Sequence, residues 1–182
     1  TPVTLTNNEN PQISSVSPSL CIGESTTLSA PVSGGSAPYT YLWTVISGEG
    51  SLDRFTDPTP SNTSTDEEPV FNATGADAGD YIVEITATDA NGCTDTEQIT
   101  VTVQDGPDAT FTAQDGDVCA GDMGVSYEVP DNGAGTIYNW TVNNGTIANG
   151  GTISDNFIEV DWDLGGTSGQ VSVEVILTTG CI

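Results

Sequence analysis

The stretch Tyr41-Leu42-Trp43-Thr44-Val45 returns almost unchanged as Tyr138-Asn139-Trp140-Thr141-Val142, so the chain is one unit used twice. In each copy Tyr, Trp and Val alternate with smaller or more polar residues, the period-two pattern of a strand with one buried face. A Trp in the middle of such a strand marks the centre of a core, which gives the chain two cores. Trp43 and Tyr81 are expected in the first, Trp140 and Trp162 in the second. A chain of 182 residues then divides into two domains of about 90 residues, each large enough to fold without a metal or cofactor.

Thr, Val, Gly, Ser, Asn and Asp dominate, and apolar residues nowhere recur at helical spacing for more than a turn, which makes the chain all-β. Lys and Arg together number one, Asp and Glu 26, and there is no His. Nucleic acid and anionic membrane surfaces are excluded as partners, because both require clustered cations. No apolar run approaches the roughly 20 residues that span a bilayer, so membrane insertion is not expected. Without His or Lys, acid-base chemistry would fall to carboxylate pairs alone, and 26 acids place many such pairs together by chance. The expectation is no enzyme.

Ile13 and Val16 begin an edge strand, Cys21-Ile22-Gly23-Glu24 turns the chain into a strand carrying Leu28, and residues 34–38 deliver the Trp43 strand. Residues 47–67 read as polar loop with one short edge strand near Leu52 and Phe55. Asp77, four residues before Tyr81, gives the tyrosine-corner pattern of immunoglobulin-like sandwiches. Tyr81, Val83 and Ile85 then alternate inward, and Ile99, Val101 and Val103 form the last strand of the domain. Residues 104–108 are a short linker. In the second copy Val125, Tyr127 and Val129, then Tyr138, Trp140 and Val142, then Ile158, Val160 and Trp162, then Val171, Val173 and Val175 make successive strands.

Cys21-x-Gly23, the run from Gly34 to Trp43, Ala78-Gly79-Asp80-Tyr81 and Thr88-Asp89-Ala90-Asn91-Gly92-Cys93 resemble the SprB-type repeat of Bacteroidota gliding adhesins over residues 21–103. Cys119-x-Gly121, Tyr138-x-Trp140-Thr141-Val142, Asn144-Gly145 and Thr179-Gly180-Cys181 resemble, more loosely, the PKD-like domains of surface proteins in the same phylum. The long polar insertion at residues 47–66 departs from the pattern. The resemblance implies two tandem immunoglobulin-like, PKD-like β-sandwich domains, type IX secretion, an extracellular cell-surface location and a structural or adhesive role in a long filament. The alternative class is an accessory carbohydrate-binding module of a secreted enzyme, for which Tyr39, Phe55 and Phe157 are the aromatic candidates.

Four cysteines at equivalent points of the two repeats predict disulfides and an oxidising compartment. Counting repeats pairs Cys21 with Cys93 and Cys119 with Cys181. Strand order objects, because it puts the members of each pair at opposite ends of a sandwich, and it offers Cys21 with Cys181 across the junction instead. Both pairings stay open. Glu24, Asp77, Asp80, Asp105, Asp108 and Asp131 are candidate calcium ligands at the domain junction, against the plainer reading of a solvated acidic face.

A shift of 98 positions carries Cys21 onto Cys119, Val3 onto Val101 and Leu5 onto Val103. Residues 1–8 therefore read as the last strand of a preceding repeat, residues 9–105 as the first domain, and residues 106–182 as a second domain lacking its last strand. Val3 and Leu5 are expected to complete the second domain of a neighbouring copy, which makes the partners further copies arranged head to tail.

Overall fold

The computed structural model describes residues 7–48, 55, 61–114, 118–165 and 168–182. It is all-β, with no helix among the described residues, and it divides into two compact units, Thr1–Asp105 and Gly106–Ile182. The expected strand of residues 1–5, with Val3 and Leu5, lies outside the described residues, as do Leu52 and Arg54.

Domain 1 comprises β1 (Pro11–Ile13), β2 (Ser19–Cys21), β3 (Ser25–Thr27), β4 (Val32–Gly34), β5 (Thr40–Ser47), β6 (Thr63–Ser64), β7 (Val70–Asn72), β8 (Gly79–Thr88) and β9 (Thr94–Gln104). One sheet runs β2-β9-β8-β5-β6; β3 pairs with β7, and β1 with β4. The first strand therefore changes sheets part-way. β1 is antiparallel to β4, whereas β2 lies parallel to β9, with Leu20 opposite Val103. Val16, expected on the first edge strand, sits on this crossover and is exposed. Pro18 cannot donate to a ladder, but its carbonyl accepts the Thr102 N–H at 3.0 Å and so starts the parallel pairing.

The alternation seen in the sequence is the packing pattern. Tyr81, Val83, Ile85 and Ala87 of β8 are buried in turn, and the first three form one apolar core with Trp43, Leu28, Phe71, Val101 and Val103. Trp43 is fully buried, and its indole N–H donates to the Asp66 carbonyl at 2.9 Å. The Tyr81 hydroxyl donates to the Asp77 carbonyl at 3.1 Å, closing the tyrosine corner, while its ring meets Phe71 edge-on at 5.7 Å. Gly48 has φ +132° and lies so close to the Tyr81 ring that a Cβ there would overlap it. Phe55, a candidate for an exposed sugar-stacking ring, is instead fully buried, bridging Ser61 and Phe71.

Domain 2 comprises β10 (Ala113–Gln114), β11 (Val125–Glu128), β12 (Ile137–Asn143), β13 (Gly145–Gly150), β14 (Phe157–Trp162) and β15 (Gln170–Ile176). One sheet runs β10-β11-β14-β13; the other is β12 paired with β15. Asn144, at φ 60°, turns the chain from one sheet to the other, a conformation that Asn tolerates better than most residues. The core is a relay of rings: Trp140 against Phe111 at 6.1 Å, Phe111 against Tyr127 at 6.3 Å, and Tyr127 against Trp162 at 6.2 Å. Trp140 and Trp162, expected at its centre, are only partly buried and pack against the buried Val125, Ile158 and Val160. The Trp140 indole donates to the Asp155 carbonyl at 2.9 Å, the same use of a strand Trp as in domain 1.

Trp43→Ala is expected to destabilise domain 1 by about 3–5 kcal/mol, the usual range for emptying a fully buried aromatic site. Tyr81→Phe, which removes only the corner bond, is expected to cost about 1 kcal/mol. Urea unfolding followed by far-ultraviolet circular dichroism checks both, and a larger loss for Tyr81→Phe than for Trp43→Ala would contradict this account of the core.

Candidate functional site

Three of the acids singled out in the sequence, Glu24, Asp108 and Asp131, accept main-chain hydrogens in turns of their own domains. The Glu24 carboxylate accepts the Cys21 N–H at 2.9 Å, and Asp122 accepts the Cys119 N–H at 2.7 Å, so Cys-x-Gly-acid builds one turn twice. Asp80 accepts the Thr102 hydroxyl at 2.8 Å, Asp131 the Gly133 N–H at 2.9 Å, and Asp108 the Thr110 N–H at 2.9 Å. Asp77 contributes its carbonyl to the tyrosine corner. Among the described residues no three acidic or sulfur side chains gather into a group able to hold a metal.

Asp89, which stands in the Thr88-to-Cys93 motif after β8, holds more backbone N–H groups than these acids do. Asp89 is buried and accepts N–H groups from Cys93 at 2.8 Å, Asn91 at 2.9 Å and Ser36 at 3.0 Å. It thereby ties the turn after β8 to the turn before β5. Burial opposes its ionisation, but these backbone donors and the Asn91 amide outweigh burial and hold its carboxyl below the ordinary value. Asp155 is held low by the Thr152 hydroxyl and N–H, and Asp108 by the Thr110 N–H and hydroxyl.

The cysteines do not pair one bridge per domain. Cys93 and Cys119 are free thiols, while Cys21 and Cys181 are each disulfide-bonded. Register gives the reason. Cys21 lies opposite Gln104 at the end of β9, and Cys93 immediately precedes the start of that 11-residue strand. At ~3.3 Å per residue the two are about 36 Å apart, well beyond disulfide reach.

The turn at residues 177–181 repeats that at residues 89–93 bond for bond. Leu177 N–H reaches the Cys181 carbonyl at 3.0 Å as Asp89 N–H reaches that of Cys93 at 2.9 Å, and Gly180 repeats Gly92. Aligned on this turn, Val171, Val173 and Val175 stand where Val83, Ile85 and Ala87 do, and Gly169 stands where Tyr81 does. Among its described residues domain 2 has no tyrosine corner. The Trp162 ring lies over Gly169 so closely that a Cβ there would overlap it.

Beside this ring is an open cleft of about 450 Å³, lined by Phe111, Tyr127 and Trp162, by Val118 and Cys119, and by residues 168–171 at the start of β15. Its rim is fixed by the Trp162 N–H on the Asp122 carbonyl at 2.8 Å and by the Asn144 amide on the Ser168 carbonyl at 2.6 Å. The Trp162 indole N–H is buried with no acceptor.

Residues 106–181 match the PKD-like domain model. The fold of domain 2 is that of an immunoglobulin-like β-sandwich. No curated protein matches the sequence. Among solved structures, murine CEACAM1b is 16% identical with 93% of each chain covered at a TM-score of 0.34. The fibronectin(III)-like modules of Clostridium thermocellum CbhA are 16% identical over 94% of this chain and 87% of theirs, at 0.39. Bacteroides ovatus SGBP-B, solved with a mixed-linkage heptasaccharide, is 16% identical over 96% of this chain and 45% of its own, at 0.33. At such scores these likenesses carry nothing about function.

Two outcomes check this description. A carboxyl with a depressed folded-state value contributes stability that is complete above its unfolded value near about 4 and is lost as pH falls through the folded one. Asp89→Asn is therefore expected to lower the melting temperature of domain 1 at pH 7 and to flatten its decline below pH ~4; an unchanged acid profile would remove Asp89 from its role. In the second measurement, iodoacetamide under native conditions is expected to label Cys119, which is exposed, faster than the half-buried Cys93. A nonreducing peptide map joining Cys21 to Cys93 would contradict the cysteine assignment.

Proposed function

We propose that the chain is a structural and adhesive segment of a long extracellular surface filament, assembled head to tail. The observation that carries this reading is that one immunoglobulin-like unit is built twice in series from the same parts. These are the indole-to-carbonyl anchor of Trp43 and Trp140, the Cys-x-Gly-acid turn and the turn ending in Cys93 or Cys181. The PKD-like match of residues 106–181 supports it. The SprB-type resemblance adds the finer reading: a gliding-adhesin-like protein of a Bacteroidota species, exported by a type IX system. Of the two disulfide pairings, this reading takes Cys21 with Cys181, which a nonreducing peptide map tests. The partners it requires are further copies of the same unit.

A formal charge of −25 sets the conditions of the test, because like-charged copies repel until salt screens them. Sedimentation and negative-stain microscopy are expected to show linear, open-ended association that grows with protein concentration and with salt. A monomer at millimolar concentration in 1 M salt, combined with binding to members of a polysaccharide panel, would overturn the filament reading in favour of an accessory carbohydrate-binding module.

A further inference from the structure

We infer that the cleft of domain 2 is the receiving slot for a β-strand, and that its occupant is residues 1–6 of a second copy of this chain. The inference rests on the head-to-tail reading above and names the contact that would produce it. In domain 1, β9 lies between β2 on one side and β8 on the other. The domain 2 counterparts of those two flanking strands are the two walls of the cleft. The 98-position shift puts Leu20 and Cys21 of β2 on Val118 and Cys119, and the turn alignment puts Tyr81 and Val83 of β8 on Gly169 and Val171. Val118, Cys119, Gly169 and Val171 all line the cleft. Among the described residues, β15 pairs only with β12, so the edge that faces the cleft offers its N–H and C=O groups to an incoming strand.

One side chain shows the difference. Leu20, beside β9 in domain 1, is buried at 5% exposure, whereas its counterpart Val118 is 40% exposed. A strand laid in the slot brings an apolar side chain against Val118.

The sequence identifies which strand fits. Val3, Thr4, Leu5 and Thr6 fall on Val101, Thr102, Val103 and Gln104 of β9, preserving the inward positions of Val101 and Val103. In β9, Val101 lies opposite Tyr81, Val103 opposite Leu20 and Gln104 opposite Cys21. The donated strand accordingly places Val3 beside Gly169 and Trp162, Leu5 beside Val118, and Thr6 beside the free thiol of Cys119. The strand lies antiparallel to β15 and parallel to the Val118-Cys119 segment, as β9 does to β8 and β2.

That last adjacency gives the test. In a Cys93→Ser background, Thr6→Cys is expected to form disulfide-linked dimers and longer ladders on mild oxidation in high salt, with the peptide map joining residue 6 of one copy to Cys119 of another. Pro2→Cys, four positions out of register, is expected to give no ladder. A synthetic peptide of residues 1–8 added to chain lacking residues 1–6 is expected to raise the melting temperature of domain 2 and to slow alkylation of Cys119, whereas the same peptide with Val3→Asp and Leu5→Asp is expected to do neither. No ladder from Thr6→Cys, a bridge formed within one copy, or equal protection by the Asp-substituted peptide overturns the proposal. If chain lacking residues 1–6 still associates into linear assemblies, strand donation fails while the filament reading stands. If the peptide protects Cys119 but the full chain stays monomeric in high salt, the slot stands and the filament reading fails.

Discussion

The fold of both domains depends on a Trp in the middle of one strand whose ring fills the core and whose N–H is satisfied by a loop carbonyl. Trp43 reaches Asp66 and Trp140 reaches Asp155, in each case just before the strand that completes the facing sheet. A buried indole N–H left unpaired costs free energy comparable to a lost hydrogen bond, so the loop has to return to one place however long it is. This is how the polar insertion of domain 1 is accommodated: its far end is fixed at Asp66, and β7 begins four residues later. Domain 2 makes the same return with a short hairpin, in which the Asp155 side chain closes the loop on Thr152.

Charge is organised by the same need. With one basic residue in 182, carboxylates cannot be satisfied by ion pairs, and the chain uses backbone N–H groups instead. Glu24, Asp89, Asp108, Asp122, Asp131 and Asp155 all accept main-chain hydrogens in turns. A turn of this kind is local, since donor and acceptor are a few residues apart, and salt disturbs it less than it disturbs exposed charge pairs. Asp89 is the exception in reach, because its Ser36 bond spans two turns far apart in sequence.

What was legible in the sequence follows this division between local and distant. The alternation around Trp43, Tyr81 and Trp140 is a local period and read directly as strands. The tyrosine corner was also local, needing only Asp77 and Tyr81. The switch of the first strand from β4 to β9 was not, because nothing near Val16 says which distant strand receives it. Phe55 looked exposed because its neighbours are polar, and only its bridge to Phe71 shows otherwise. The acids were easy to count, but their roles depended on which backbone hydrogens faced them. One signal was present and went unread: Tyr81 precedes Cys93 by the same interval at which Gly169 precedes Cys181. That glycine marks where the second domain gave up its corner and moved Trp162 into the space.

The parallel ladder between β2 and β9 has a kinetic consequence. It joins Ser19, Leu20 and Cys21 to Thr102, Val103 and Gln104, segments from the two ends of domain 1. Closing so long a loop costs chain entropy that a three-residue ladder cannot repay by itself. The antiparallel pairings of β5 with β8 and of β8 with β9 are made between segments closer in sequence, so they form first, and the sheet switch of the first strand is the step that closes the domain.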